Sequence, residues 1–344
     1  MFYKTLFIVL LCPFMLSAQT FRDHLVWTFD VHFDFGKQEV QATYLPKLDS
    51  LTVALVSDTN YIVLLQAHTD AIGSDDANKL LSQRRAENVK NYLISKNIDN
   101  QRITYSYLGE SQPVADNTRD EGRQNNRRVS VRLMRRIPLT TISGIIKNDT
   151  GEILKDAKVR IRSRYFNDST TTNASGYFEL PAPKNQNVIL DVIAKDHFFT
   201  SRRLVVQELP LKILDLQLVR VLVGRKMKLN DIFFYGNKTT LLPTSMPELK
   251  NLLQFMTLND DYKIEIQGHV NHPNALPVIP ESWEFKLSVG RAKTIYDYLI
   301  DNGISAERMM FVGYGNWFMV FPNAKTEEDQ AANRRVEVKV TGKN

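Results

Sequence analysis

Cysteine is all but missing from this chain of 344 residues, and the single thiol, Cys12, lies in an N-terminal leader. The mature chain therefore has no thiol for a disulfide, a zinc site or a catalytic nucleophile. Long apolar runs are scarce too. Beyond residues 5–16 nothing comes near the ~20 apolar residues that span a bilayer, so no membrane span is expected. Blocks of one charge are also lacking. The formal net charge is +6, with basic and acidic residues interspersed, which gives no footprint for nucleic acid. A weakly basic exported chain suits an anionic cell-wall polymer or membrane surface instead.

The leader consists of Lys4, the apolar run 5–16 and a small-residue exit at Ser17 and Ala18. This pattern reads as a secretory signal peptide, residues 1–18, cleaved after Ala18. A lipoprotein cysteine follows a small residue, whereas Leu11 precedes Cys12, so lipid attachment is not expected. The expected location is the periplasm.

The chain contains an internal repeat in constant order. "FDFGK" at 33–37 is echoed by "FFYGN" at 233–237, and "LQAHTD" at 65–70 by "IQGHVN" at 266–271. "LSQRRAENVKNYLISKNI" is echoed by "LSVGRAKTIYDYLIDNGI", and "NNRRVSVRL" by "ANRRVEVKV". Apolar spacing in each copy predicts strand, helix, strand, helix, strand, strand. That order builds an α/β sandwich with helices on one face of a small mixed sheet. Between the copies, short alternating runs separated by Asn, Asp, Gly and Pro predict an all-β sandwich of immunoglobulin or transthyretin type. The fold class is thus α+β, with domains at 27–136, 139–222 and 228–344.

Charged residues sit where apolar ones belong. Leu81, Arg85, Val89 and Leu93 share one helical stripe, as do Leu287, Arg291, Ile295 and Leu299. Strand parity puts Arg127 with Val129, Val131 and Leu133, and Arg334 with Val336, Val338 and Val340. A buried arginine needs a partner or a ligand. One reading ties these arginines to nearby acids, with Asp70 the obvious partner in the first copy. The other holds acid and arginine apart to grip a zwitterion, Arg taking a carboxylate and Asp an ammonium.

Taken together, "HTD", Asn78, "LSQRRA", "LGESQP" and "NNRRV" resemble the OmpA C-terminal-like peptidoglycan-binding domain, over roughly 27–135 and again 228–341. The resemblance implies noncovalent binding of the cell-wall peptide stem at diaminopimelate. By motif position it implies Asp70 for the ammonium and Arg85 for the carboxylate, with Asn78, Arg127 and Thr69 completing the pocket. Gly36 stands where the family often has asparagine. The middle stretch is similar to the carboxypeptidase regulatory-like domain through "SGIIKNDTGEILKDAKV" and "NASGYFEL", which implies a spacer or adhesion module without catalysis.

The second copy departs from the motif. Asn271 replaces the acid, so the charge for an ammonium is gone, and the loop from His269 to Arg291 is longer by five residues than that from His68 to Arg85. Asn271, Arg291 and Arg334 are its candidate site residues, and a reshaped pocket is expected, whether for peptide, for protein or for neither.

Enzymatic readings find little support. His68 and Asp70, with Asp75 and Asp76 nearby, lack an HExxH or a second ligand cluster, so no metal or other cofactor is expected. Ser82 has no histidine and acid arranged in sequence as a triad. The reading is a noncatalytic envelope protein with peptidoglycan as partner, and an outer-membrane or periplasmic protein as a further one. Its rival is a structural interaction scaffold in which Asp70 and Arg85 form an internal pair.

Overall fold

The computed structural model describes residues 20–207 and 213–343. The leader 1–18 lies outside the described residues. The chain divides into two compact units, 1–140 and 141–344.

In the first unit, β1 (Thr20–His32), α1 (Leu45–Ser57), β2 (Tyr61–Ala67), α2 (Asp75–Ser95), β3 (Ile103–Tyr107) and a short α3 (Asp120–Asn126) lead into β4 (Arg128–Asn148). The sheet order is β1-β4-β2-β3; β4 is antiparallel to both neighbours and β2 is parallel to β3. Period-two alternation sends Val63, Leu65, Ala67, Val129, Val131 and Leu133 to one face. There they pack with Leu48, Leu51 and Leu55 of α1 and with Ala86, Val89 and Leu93 of α2. Both helices therefore cover the same face, as the repeat pattern predicts. Ser74 caps α2 by accepting from the Ala77 amide, with Asp75 and Asp76 in the first turn to complement the helix dipole.

The second unit begins with the middle stretch. Strands β5 (Lys158–Arg162), β6 (Asn167–Thr171), β7 (Tyr177–Pro183), β8 (Asn187–Ile193), β9 (Thr200–Val205) and β10 (Leu214–Leu218) follow in chain order. Four of them form an antiparallel sheet in the order β6-β5-β8-β9. β10 pairs instead in parallel with 144–148, the end of β4 that belongs to the second unit.

The second repeat then rebuilds the first topology. Strand β11 (Lys226–Leu229), α4 (Met246–Leu258), β12 (Tyr262–Gly268), α5 (Trp283–Asp301), β13 (Met309–Gly313), α6 (Glu327–Asn333) and β14 (Val336–Lys343) give a sheet ordered β11-β14-β12-β13. Its core joins that of the middle stretch. Ile193, Phe198, Phe199 and Val221 pack in one cluster with Leu252, Phe255, Tyr262 and Ile264, and the Phe198 and Phe255 rings stack at 5.8 Å.

Candidate functional site

The helical stripe of α2 ends in a charge cluster under the loop that follows β1. Arg85 is completely buried. It donates from Nε to the Lys37 carbonyl at 2.9 Å, from Nη1 to His68 at 3.0 Å and from Nη2 to Asp34 at 3.2 Å. Its guanidinium also lies 5.0 Å from the centre of the Phe33 ring. Burial pushes its pKa down to about 10, with the Asp70 charge opposing and the Arg127 charge adding to the fall. It stays a cation at neutral pH, and the carbonyl fork answers why a charge tolerates this position.

Asp70 follows β2 and is equally buried, yet its direct partner is Arg127, whose Nη1 lies 2.7 Å from Oδ2. Arg127 also donates to the Phe33 carbonyl at 3.2 Å and to the Gln124 side chain. Asp70, Arg85 and Arg127 thus share one cluster of two cations and one anion. Thr69 adjoins it: its amide donates to the Gly109 carbonyl at 2.9 Å, and its buried hydroxyl has no partner among the described residues. Gly109 is required there. Its φ is +54°, its amide donates to Ser82 Oγ at 3.0 Å, and a Cβ would press on the α2 backbone at 3.3 Å. Asn78 turns to the Glu110 carboxylate rather than to this cluster.

The second copy reproduces the frame and alters the chemistry. Val270 donates to Gly315 at 3.0 Å, and Gly315 in turn to Ser288 Oγ at 3.0 Å. Asn271, in the place of Asp70, accepts from Asn333 Nδ2 at 2.9 Å. Arg291 is buried against the Phe234 ring at 4.9 Å and, among the described residues, makes a single hydrogen bond, Nε to the Lys238 carbonyl at 3.2 Å. Arg334 does not approach Asn271 but pairs with Glu327 at the surface.

The parity expectation for Arg127 and Arg334 needs correction. Both residues are helix C-caps with ψ near 76–78°, outside the strands, so alternation does not govern them. Arg334 is exposed in consequence, and Arg127 reaches Asp70 from the cap. The arginines that follow them are buried: Arg128 beside Ser130, and Arg335 on Glu337 at 2.6 Å. Sequence reasoning also missed Gln124, Glu110 and Glu327 as partners. The acid-led turn of α3 and the Thr326 cap of α6 were the available signals, since Thr326 accepts from the Asp329 amide.

Two copies of a four-stranded sheet backed by helices, each with arginines at its strand and helix ends, define a repeated α/β sandwich domain. The chain belongs to the OmpA family, which it matches over residues 32–127 and 233–334. It is 36% identical over 98 residues to the peptidoglycan-associated lipoprotein of Buchnera aphidicola, covering 28% of this chain and 57% of that protein. It is 42% identical over 100 residues to outer membrane porin F of Pseudomonas fluorescens, covering 29% and 31%. Among solved structures, the peptidoglycan-associated lipoprotein of Burkholderia pseudomallei aligns at 30% identity with a TM-score of 0.30, covering 30% of this chain and 88% of that one. The chain spans 57% and 31% of the length of those two curated relatives. Such relatives are outer-membrane or peptidoglycan-associated proteins of the cell envelope, and members of the family are noncatalytic. No helix among the described residues is long and apolar enough to cross a membrane.

Proposed function

We propose that this is an exported periplasmic protein whose first repeat binds the peptide stem of peptidoglycan at its diaminopimelate end. The observation that carries the reading is the Asp70, Arg85 and Arg127 cluster, buried at the end of β2 in an OmpA-family repeat. A ligand ammonium competes with Arg127 for Asp70, and the released Arg127 fork joins Arg85 on the ligand carboxylate. Thr69, with its unpartnered hydroxyl, adjoins the cluster, and Asn78 joins the pocket only by turning away from Glu110. Charged hydrogen bonds contribute roughly 1.5–3 kcal/mol each, so loss of either main partner matters. The middle stretch, 139–222, serves as a carboxypeptidase regulatory-like spacer between domains 27–136 and 228–344, and an outer-membrane or periplasmic protein is the further partner.

A second reading has its own support: three of the five N–H groups of Arg85, one on each nitrogen, are taken by carbonyls, and Asp70 already has a cation. The cluster is then architectural and the protein is an interaction scaffold. Calorimetric titration of the mature chain with a diaminopimelate muropeptide separates the two. Saturable binding that folded Asp70→Asn and Arg85→Lys variants lose supports peptide binding. A folded wild type that gives no binding heat and does not sediment with sacculi overturns it in favour of the scaffold.

A further inference from the structure

One face of the middle sheet turns toward α4, and strand register arranges its side chains in rungs. Across β5, β8 and β9 one rung holds Arg160, Asp191 and Ser201, and the next holds Arg162, Ile189 and Arg203. Asn251 of α4 covers the first rung, donating to Asp191 at 3.1 Å and accepting from Arg160. The second rung lines a cleft of about 680 Å³ with Pro247, one helical turn nearer the start of α4; small-ligand sites usually run to about 300–1,000 Å³. We propose that this cleft binds the phosphate monoester of a sugar, with Arg164 and Arg203 on the phosphate. The assignment does not rest on what either repeat binds.

The first observation is an excess of positive charge. Arg160 and Arg162 both spend themselves on the single buried carboxylate of Asp191, at 2.9 and 2.8 Å. Arg203 is largely exposed and pairs with Asp231. Arg164 has no carboxylate partner among the described residues and rests over the Tyr165 ring at 4.9 Å. Four arginines therefore meet two acids. Among the described residues no carboxylate lines the cleft itself, where Arg162, Arg164 and Arg203 converge. Glu248, in the first turn of α4, stays outside the lining, and burial raises its pKa, which disfavours its charge. Asp168 stands opposite Ile161, on the other face of the sheet.

That excess sets the class of anion. A phosphate monoester carries about −1.5 to −2 at neutral pH and three acceptor oxygens, which matches two surplus cations better than a carboxylate does. The planar fork of Arg164 is unspent, and the exposed Arg203 pair is weak enough to be shared with a ligand oxygen. Arg162 is fixed beneath them by Asp191 and adds its charge to the floor.

The remaining lining sets what carries the phosphate. The Ser163 hydroxyl is buried in the cleft wall with no partner among the described residues, an unmet polar group that a ligand hydroxyl would satisfy. Asn187 adds an amide at the rim, while Val188, Ile189 and Pro247 supply apolar surface. A sugar ring presents hydroxyls at its edge and C–H groups on its face, and so meets both kinds of wall.

The test is calorimetric titration of the full mature chain with glucose 6-phosphate, glucose and inorganic phosphate. The ester should bind saturably, glucose should give no binding, and inorganic phosphate should bind at least about tenfold more weakly than the ester. Arg164 and Arg203 are exposed, so Arg164→Gln and Arg203→Gln should leave the melting temperature unchanged and each weaken the ester about tenfold or more. Arg162 is left in place because its loss would uncover the buried Asp191. Arg202→Gln, on the opposite face of β9, should bind as the wild type does. No saturable binding by the folded protein, inorganic phosphate binding as tightly as the ester, or equal losses in the Arg202 and Arg203 variants would each overturn the proposal. So would capture by phosphatidylcholine vesicles containing phosphatidate with no binding of the soluble ester, which would assign the cleft to a lipid phosphate.

Discussion

Arg85 and Arg291 occupy equivalent turns of α2 and α5, and the difference in their surroundings makes them different kinds of residue. Removing Arg85 takes the donor from three carbonyls, the buried one of His68 among them, and unbalances Asp70 and Arg127, so Arg85→Ala should cost about 3 kcal/mol or more. Arg291→Ala strands one carbonyl and relieves a like-charge contact, so about 1 kcal/mol is expected. Denaturant unfolding of the two variants checks this, and equal losses would sink the distinction. His68 makes a second case at this scale. Its ring is buried among Arg128, Asp30 and Arg132, and burial first, then Arg128, pushes it down to about 4. The unfolded imidazole titrates near 6.5, so between about 6.5 and 4 only the unfolded chain takes up the proton. The contribution to stability is complete above about 6.5 and disappears as the pH falls toward 4. His68→Gln should therefore flatten that part of the first unit's stability profile; an unchanged slope would show that other groups cause it. His269, also lowered to about 4 by burial and Arg335, predicts the same for the second repeat.

At the scale of elements, the two short helices α3 and α6 decide where the site residues end up. Asn126 closes α3 onto the preceding loop: its Oδ1 accepts from Val114 at 2.8 Å and Ala115 at 3.0 Å, and its Nδ2 donates to Ala115 and Asn117. Asn117 then accepts from the amide of Ala71, next to Asp70. Asn126→Ala should cost about 2 kcal/mol, and amide exchange at Val114 and Ala115 should accelerate before global unfolding. Exchange that stays slow there would mean the loop is held by other contacts. The long helices and the paired strands were legible in the sequence because their burial repeats at 3.6 or 2 residues. These seven-residue helices were not, since fewer than two turns leave too short a pattern to stand out, and the parity argument for Arg127 and Arg334 failed at their C-caps for that reason. The Arg85 stripe was legible, but its three carbonyl acceptors lie 17 to 51 residues away in the chain.

At the scale of the whole molecule, the middle stretch and the second repeat share one hydrophobic cluster and a polar bridge. Buried Asp191 of β8 accepts from Arg160, Arg162, Ser201 and Asn251, and Asn251 belongs to α4. A side chain so deeply paired resists piecemeal separation, because breaking the set leaves an uncompensated buried charge. Scanning calorimetry should accordingly resolve two transitions, one for each compact unit, and Asp191→Ala should shift only the second. A third transition would show the middle stretch unfolding alone. The repeat and the β-strand character of the middle stretch could be read from the chain, yet Phe198 and Phe255 meeting in one core could not, because neither period nor motif links them.

The sequence alone determined the doubled topology, the apolar faces and the presence of a charge on each helical stripe, since these follow from local periodicity and from side-chain burial. Tertiary structure alone decided what those charges do. Whether an arginine is held by carbonyls, paired to an acid or left facing a cleft depends on loops brought together from distant parts of the chain. Their positions are fixed by packing and by directional hydrogen bonds, not by spacing along the sequence.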